Sequence, residues 1–510
     1  MNSNKQLAIN MVAQMLSFVV GIAISFFVTP YIVNNVGVDA YGFVGLANSF
    51  INYAGIVIIA LNSMSGRFIT IEIHRKKYEE ANRYFTSVLI GNIIVAALLL
   101  AASLFMVLNL EKLIAIPARI VTDIKLLMGL LFISFILSIV GNVFSVATFA
   151  QNRLELASIR NMESSFLNAA VILLSFYLFK PSVWYVGLAS LISGSYVVCT
   201  NVYYTKKLLP FIKLEKKYYD FNKIKTLVAS GVWNTVSKIS GIISTGLDLL
   251  ITNLFVDATA MGNVSVSSVL HGYVLSVFAK ISGVFMPQLT IDYANKNYEA
   301  IRRQLISTVR MLGFFAAIPI TLIFVYSGDF YRLWVPKQNI ELLRNLSVLR
   351  AAALPVSLIF EPIWNVFTVT NKVKQSALML MVSSVISIVG TFLLLSITSD
   401  TTIKLYIIVG FSTIIGIIRC VTFLPIMGAK CVGLKWNTFY PVMFLNLICL
   451  SMVMIISAMI KKIIVINSWI MLIAVAFITA FITLIINYAI LLTSDERKFI
   501  KSKIKRVIKE

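Results

Sequence analysis

Long apolar runs separated by short polar breaks dominate this chain. A helix needs roughly 20 mostly apolar residues to cross a bilayer, and about fourteen such runs follow one another. They lie near residues 9–33, 42–66, 86–110, 124–149, 156–179, 184–204, 227–255, 263–290, 308–328, 346–370, 376–397, 403–426, 440–461 and 468–492. The runs at 227–255 and 263–290 are long and interrupted by polar residues, which tilting accommodates. The first apolar stretch, Leu7 to Val33, exceeds a signal-peptide core and lacks a small-residue cleavage site, so it is expected to be a membrane helix. The pattern predicts an all-α polytopic membrane protein.

Composition leads to the same class. Hydrophobic residues make up 59% of the 510 positions and charged residues 13%, with mean hydropathy +0.90. A soluble chain is nearer a quarter charged, and this one has too little polar surface to be clothed by water. Cys199, Cys420, Cys431 and Cys449 lie in or beside apolar segments without metal-ligand spacing and are expected to be small buried hydrophobes. Two histidines, His74 and His271, offer no basis for a metal site. No cofactor and no catalytic group is expected.

Charge then sets the orientation. The chain has 44 Lys+Arg against 21 Asp+Glu, a net +23. One set of alternating loops, with the tail after residue 492, holds about 28 of these bases, and the opposite loops hold about 8, among them Lys112, Arg119, Lys180, Arg332, Lys337 and Arg344. Basic loops stay in the cytoplasm, so both termini are expected there, and no nucleic-acid partner is needed to explain the excess. The remaining bases lie in or at the edges of the spans.

The sequence also matches itself at an offset of 220 residues. Val12, Ser17, Gly21 and Ile22 fall on Val232, Ser237, Gly241 and Ile242, and Ala40, Gly42 and Val44 fall on Ala260, Gly262 and Val264. The loop pattern Lys76, Tyr78, Glu79, Arg83 recurs as Lys296, Tyr298, Glu299, Arg303. Six spans separate the copies, an even number, so both copies have one orientation and form a parallel repeat about a pseudo-twofold axis along the membrane normal. The expected organisation is an N-lobe at 1–210 (helices 1–6), a basic linker at 211–226, a C-lobe at 227–430 (helices 7–12), two extra helices at 431–492 and a basic tail at 493–510. Two such six-helix lobes suit a transporter with a central cavity.

Polar side chains at helical spacing identify what could line that cavity. In the first span Asn10, Gln14, Ser17, Gly21 and Ser25 share a face, and in the seventh Asn234, Lys238, Gly241, Thr245, Asp248 and Thr252 do so. Asn52 adds a polar position in the second span. Small and hydroxyl residues also serve helix packing, but charges within spans are costly, roughly 2.5–3.5 kcal/mol each on the insertion scale. Lys238, Lys280 and Asp248 lie well inside spans; a structural pair of Asp248 with Lys280 is the alternative to a hydrated cavity. Arg160, Arg310, Arg350 and Arg419 lie nearer span ends, where snorkelling to the interface is the alternative. Glu361, beside Pro362, suits proton coupling or a pair with Arg350. An excess of Lys and Arg over acids favours an anionic, phosphate-like cargo.

On these residues the chain resembles the Wzx-type polysaccharide flippases of the multidrug/oligosaccharidyl-lipid/polysaccharide (MOP) exporter superfamily. The specific segments are Asn10, Thr29-Pro30-Tyr31-Ile32-Val33, Val36 through Gly42, Ser65-Gly66-Arg67, Ser230-Gly231-Val232-Trp233 and Leu247 through Ile251. The resemblance implies flipping of undecaprenyl-diphosphate-linked oligosaccharide repeat units across a bacterial cytoplasmic membrane, by alternating access driven by an H+ or Na+ gradient. It implies a monomer working with membrane lipids, a polysaccharide polymerase and a chain-length regulator. The basic cargo-binding candidates are Lys238, Lys280, Arg67, Arg310 and Arg350, with Asp248 and Glu361 for ion coupling or charge pairing and Gln14, Ser17, Asn234, Thr245 and Asn52 as polar lining. Rival readings are another transporter of that superfamily (a lipid II flippase or a multidrug/cation antiporter), a membrane-embedded polymerase or ligase, and a scaffold whose basic tail binds anionic lipid.

Overall fold

The computed structural model describes residues 3–283, 285, 289, 292–293, 297–370, 372–493 and 497. The described chain is helical without strands. Among the described residues eleven helices are long and apolar enough to cross a membrane, and Ile340–Ser357 with Glu361–Val369, bent by 52°, makes a twelfth where the pair counts as one span. Among the described residues the fourteen runs expected from sequence fall on helices, but several are not single continuous spans: 42–66 crosses a break at Gly55, and 346–370 is the bent pair. Residues 156–179 form a polar helix, and 227–255 form two pieces. Large apolar side chains cover the outside: Ile470 is 81% exposed and Phe477 72%, as lipid contact requires. The chain is a multi-pass membrane protein, packed as two compact units, 1–265 and 266–510.

Unit 1 begins with α1 (Ser3–Val36), α2 (Val38–Ala54), α3 (Ile56–His74) and α4 (Tyr78–Leu108). Gly37 separates α1 from α2 with φ +94°, and a Cβ there would meet Asp39 Oδ1 at 2.7 Å, so the turn requires glycine. Asp39, in the first turn of α2, pairs with Arg119. Next come α5 (Val121–Gly141), α6 (Leu154–Leu178) and α7 (Trp184–Leu208). Gly187 approaches Leu127, and Gly194 approaches Ser134. Both steps are seven residues in the same sense, so α5 and α7 run parallel at small-residue distance. The core here includes Phe43, Leu46, Ile124, Leu127 and Met128.

The polar character of α6 is answered by α7. Arg160 donates to Asn201, the Tyr196 hydroxyl donates to Glu163 at 2.6 Å, and Asn168 donates to Ser193 at 3.3 Å. The partners descend along α7 as they rise along α6, giving an antiparallel zipper. Arg160 is buried and does not snorkel. Asn10 also departs from expectation. It is 2% exposed, donates to Asn152, and accepts from the Glu155 amide at 3.1 Å. It fastens α1 to the start of α6 and leaves the polar stripe of the first span shorter than the sequence suggested. Cys199 is exposed, whereas Cys420, Cys431 and Cys449 are buried as expected.

The seventh span is α8 (Phe221–Thr245) and α9 (Asp248–Phe255), divided at Gly246-Leu247. The Tyr53 hydroxyl donates to the Gly246 carbonyl, satisfying a backbone group that the break frees. Then α10 (Ala258–Gly283) follows. α2 and α10 begin 220 residues apart, at Val38 and Ala258. Gly42 and Gly262, at the same offset, touch each other: a Cβ on Gly42 would lie 2.8 Å from Gly262 Cα, and one on Gly262 would lie 2.1 Å from the Val38 carbonyl oxygen.

Unit 2 is organised on α11 (Tyr298–Trp334), which starts 220 residues after α4 and continues through Pro319. It is followed by α12 (Ile340–Ala351), a turn, and α13 (Glu361–Val369); Pro362 in the first turn of α13 suits a helix start. α14 (Val373–Ser396), α15 (Thr401–Val421) and α16 (Phe423–Cys431) complete the repeat-length segment. Gly390 approaches Phe411 between α14 and α15, and Phe367 stacks on Phe423 with centroids 6.0 Å apart.

The last two helices, α17 (Tyr440–Ile463) and α18 (Trp469–Ile490), attach to α11. Gly313 admits Asn446, Tyr326 donates to the Ser457 carbonyl at 2.9 Å, and Asn487 donates to the Phe314 carbonyl at 2.8 Å. At one end buried Asp329 holds Lys461 at 2.7 Å and Arg332 at 3.7 Å. Asp329→Ala would strip two cations of their acid, one of them partly buried. A loss of about 1–2 kcal/mol is expected, read as a lower melting temperature in detergent; an unchanged melting curve would show this network to be dispensable.

Candidate functional site

The five basic candidates divide between the units. Arg67 on α3 and Lys238 on α8 belong to unit 1, and both are exposed. The two helices pack at Gly231, where a Cβ would lie 2.0 Å from the Ala60 carbonyl oxygen. Each cation is seven positions from that contact, about 10 Å along its helix, so neither lies at the crossing.

Lys280, Arg310 and Arg350 belong to unit 2 and lie on helices that one apolar cluster joins. That cluster includes Phe278, Leu312, Ala351, Leu354 and Leu358. Lys280 and Arg310 are each two positions from a cluster residue, and Arg350 adjoins one. The cluster joins the three helices that carry these basic residues, which are 30 and more positions apart in sequence. Arg310 and Arg350 are partly buried, and Lys280 is exposed. Arg350 also lies within electrostatic reach of His271 on α10. Sequence reasoning set His271 aside because two histidines offer no basis for a metal site, and no pattern in the chain links positions 271 and 350. Arg419 donates to Ser383 at 3.1 Å, joining α15 to α14.

Glu361 opens α13, where the helix N-terminus favours an acid. It is partly buried, and among the described residues no basic group lies within ion-pair distance of its carboxylate. The pair with Arg350 that sequence allowed is therefore not formed. It lies within electrostatic reach of Cys420 on α15. Asp248 is buried at the start of α9, within electrostatic reach of Tyr53, and its own carbonyl accepts from Thr252 at 2.7 Å. The helix break places it at a helix N-terminus, which an unbroken span would not do.

The polar lining candidates are dispersed. Gln14 is exposed, Ser17 and Asn234 are partly buried, and all three lie in unit 1. Asn52 is exposed and donates to the Asn48 carbonyl of its own helix at 3.0 Å. The side chain of Thr245 and most of the basic tail lie outside the described residues. Unit 2 carries phosphate-compatible donors on its helices, and Glu361 has no cationic partner among the described residues.

No family model matches the sequence. The chain is 26% identical over 501 residues to the uncharacterized membrane protein EpsK of Bacillus subtilis (strain 168), covering 98% of each. Among solved structures it is similar to the lipid II flippase MurJ in an inward closed conformation, with TM-score 0.65 and 15% identity over 94% of this chain and 98% of that one. It is also similar to a multidrug resistance MATE family transporter of the MOP superfamily in an inward-facing conformation (TM-score 0.63, 14% identity, 82% and 98% covered). A MOP superfamily transporter from Pyrococcus furiosus, described as having a binding pocket of reverse polarity, gives TM-score 0.59 at 13% identity, with 83% and 95% covered. At these identities the likeness is one of fold. The chain is an all-helical multi-pass membrane protein with the fold that MATE and MurJ transporters share.

Proposed function

We propose that this protein flips undecaprenyl-diphosphate-linked oligosaccharide repeat units across a bacterial cytoplasmic membrane. What supports the reading is the presence of Lys280, Arg310 and Arg350 on membrane helices of unit 2 that share one apolar cluster. A diphosphate is the group such donors match: guanidinium forks bind phosphate oxygens in pairs, and an ammonium adds a point charge. The polyprenyl chain would remain in lipid, where transfer costs nothing, while the sugars cross among polar side chains. Similarity to EpsK along the whole chain supports a bacterial membrane setting, and the greater coverage by MurJ than by MATE supports a lipid-linked cargo over a free cation. Lys238 and Arg67 would contribute from unit 1, with Gln14, Ser17, Asn234, Thr245 and Asn52 as polar lining. The two lobes would alternate access, with both termini in the cytoplasm and no catalysis. A polymerase and a chain-length regulator would take the product onward.

Ion coupling in this reading falls to Glu361, a carboxylate without a described cationic partner, with Asp248 as the second acid. A gradient of H+ or Na+ would drive the cycle. The second reading is a lipid II flippase, favoured by the extent of the match to MurJ.

Deleting the gene from its host tests the proposal. Lipid-linked repeat units should accumulate on the cytoplasmic leaflet and surface polysaccharide should be lost. The wild-type gene should restore export, and Glu361→Gln should restore it poorly with the protein still in the membrane. Normal polysaccharide in the deletion strain would reject the reading, and accumulation of lipid II instead would transfer the assignment to the second.

A further inference from the structure

Unit 2 contains a cleft that the transport reading does not use. It has a volume of about 560 Å³ and lies between α11, α12, α14 and α15. Its walls are apolar, formed by residues such as Phe324, Leu394 and Ile414. Ile403 and Ile414, eleven positions apart on α15, both line it, so the wall extends about 16 Å along the helix. Both are about half exposed, at 51% and 52%, so the cleft is open on the lipid-facing side of a membrane-spanning helix.

Its rim is polar on one side only. Arg344 and Asn345 border it from the first half of α12, and Asn345 donates to the Tyr406 hydroxyl at 3.2 Å. These residues sit at the same end as the start of α15 at Thr401 and the connection that precedes α12. The Arg344 stem crosses Gly328, where a Cβ would meet its Cδ at 3.3 Å. Its head is exposed and, among the described residues, has no ion-pair partner. Arg119 and Arg332 differ: Arg119 holds Asp39, and Arg332 holds Asp329. An open apolar groove with a cation and a hydroxyl at one end has the polarity of an anionic phospholipid, acyl chain along the groove and phosphate at the rim.

We propose that this cleft is a binding site for an anionic phospholipid of the surrounding bilayer, with the acyl chain between α12 and α15 and the headgroup phosphate on Arg344. In this proposal the occupant of the cleft does not cross the membrane.

Native mass spectrometry of the full-length protein in detergent tests this, with phosphatidylglycerol and phosphatidylcholine of identical chains as probes. The wild type should retain one phosphatidylglycerol with about tenfold preference over phosphatidylcholine. Arg344→Ala should abolish that preference, and Arg344→Lys should keep most of it, because a point charge still meets the phosphate. Val348→Trp, or Ile414→Trp if the first does not fold, should lose both lipids by filling the slot. Unchanged preference in Arg344→Ala, or bound lipid retained with the slot filled, would overturn the proposal. So would displacement of phosphatidylglycerol by an equal concentration of undecaprenyl phosphate, which would assign the cleft to the cargo chain.

Discussion

Replacing Arg310 and Arg350 together by alanine should lower export of lipid-linked units by two orders of magnitude or more, with the protein still present in the membrane. Hydrogen bonds to a charged group are worth about 1.5–3 kcal/mol each, and two lost guanidinium contacts to a diphosphate therefore correspond to about 10²–10⁴ in rate or affinity. The two residues lie on helices joined by one apolar cluster, so their effects should couple and the double variant should fall short of the product of the singles. Lysine at both positions should recover part of the activity, since charge returns without the paired donors. Surface polysaccharide, lipid-linked intermediates and the detergent melting temperature should be measured in parallel. Normal export by the double alanine variant would remove the basis for a phosphate site in unit 2. A fall in export matched by a fall in melting temperature that lysine does not repair would make both arginines structural.

The second large effect is expected at Gly262. A methyl group there would lie 2.1 Å from the Val38 carbonyl oxygen, and that neighbour is backbone that cannot rotate away. Overpacking typically costs about 1–3 kcal/mol, more where backbone must shift, so Gly262→Ala should lower the melting temperature markedly and Gly262→Leu should prevent accumulation in the membrane. Gly272 on the same helix is the control. Nothing lies within 4 Å of its Cβ position, and alanine there should be neutral or stabilising by up to about 1 kcal/mol through helix propensity. Equal melting of the two alanine variants would disprove the close contact of α2 and α10.

That contact shows where sequence reading stops. The 220-residue offset aligns Gly42 with Gly262 and recurs in the starts of α2 and α10, and of α4 and α11. Yet alignment of equivalent positions says nothing of whether they touch. Polar residues show the same limit. Asn10, Gln14 and Ser17 look alike on a helical face, but Asn10 is used up in holding α6, while Gln14 is exposed. Arg160 reads as a residue that reaches for the interface, and Asn201 keeps it inside. Glu361 reads equally as a proton-coupling group or as half of a pair with Arg350, and among the described residues it has no cationic partner.

By itself the sequence determined the membrane class, the positions of the helices and the predominance of basic over acidic groups among candidate site residues. Each of these follows from the transfer of a segment between water and lipid, a property of that segment alone. Only the tertiary structure decided which helices are broken, which glycines are contacts, and which intramembrane charges are already satisfied. Partnering of a polar group in lipid depends on a second helix dozens of residues away, and hydropathy has no access to that distance.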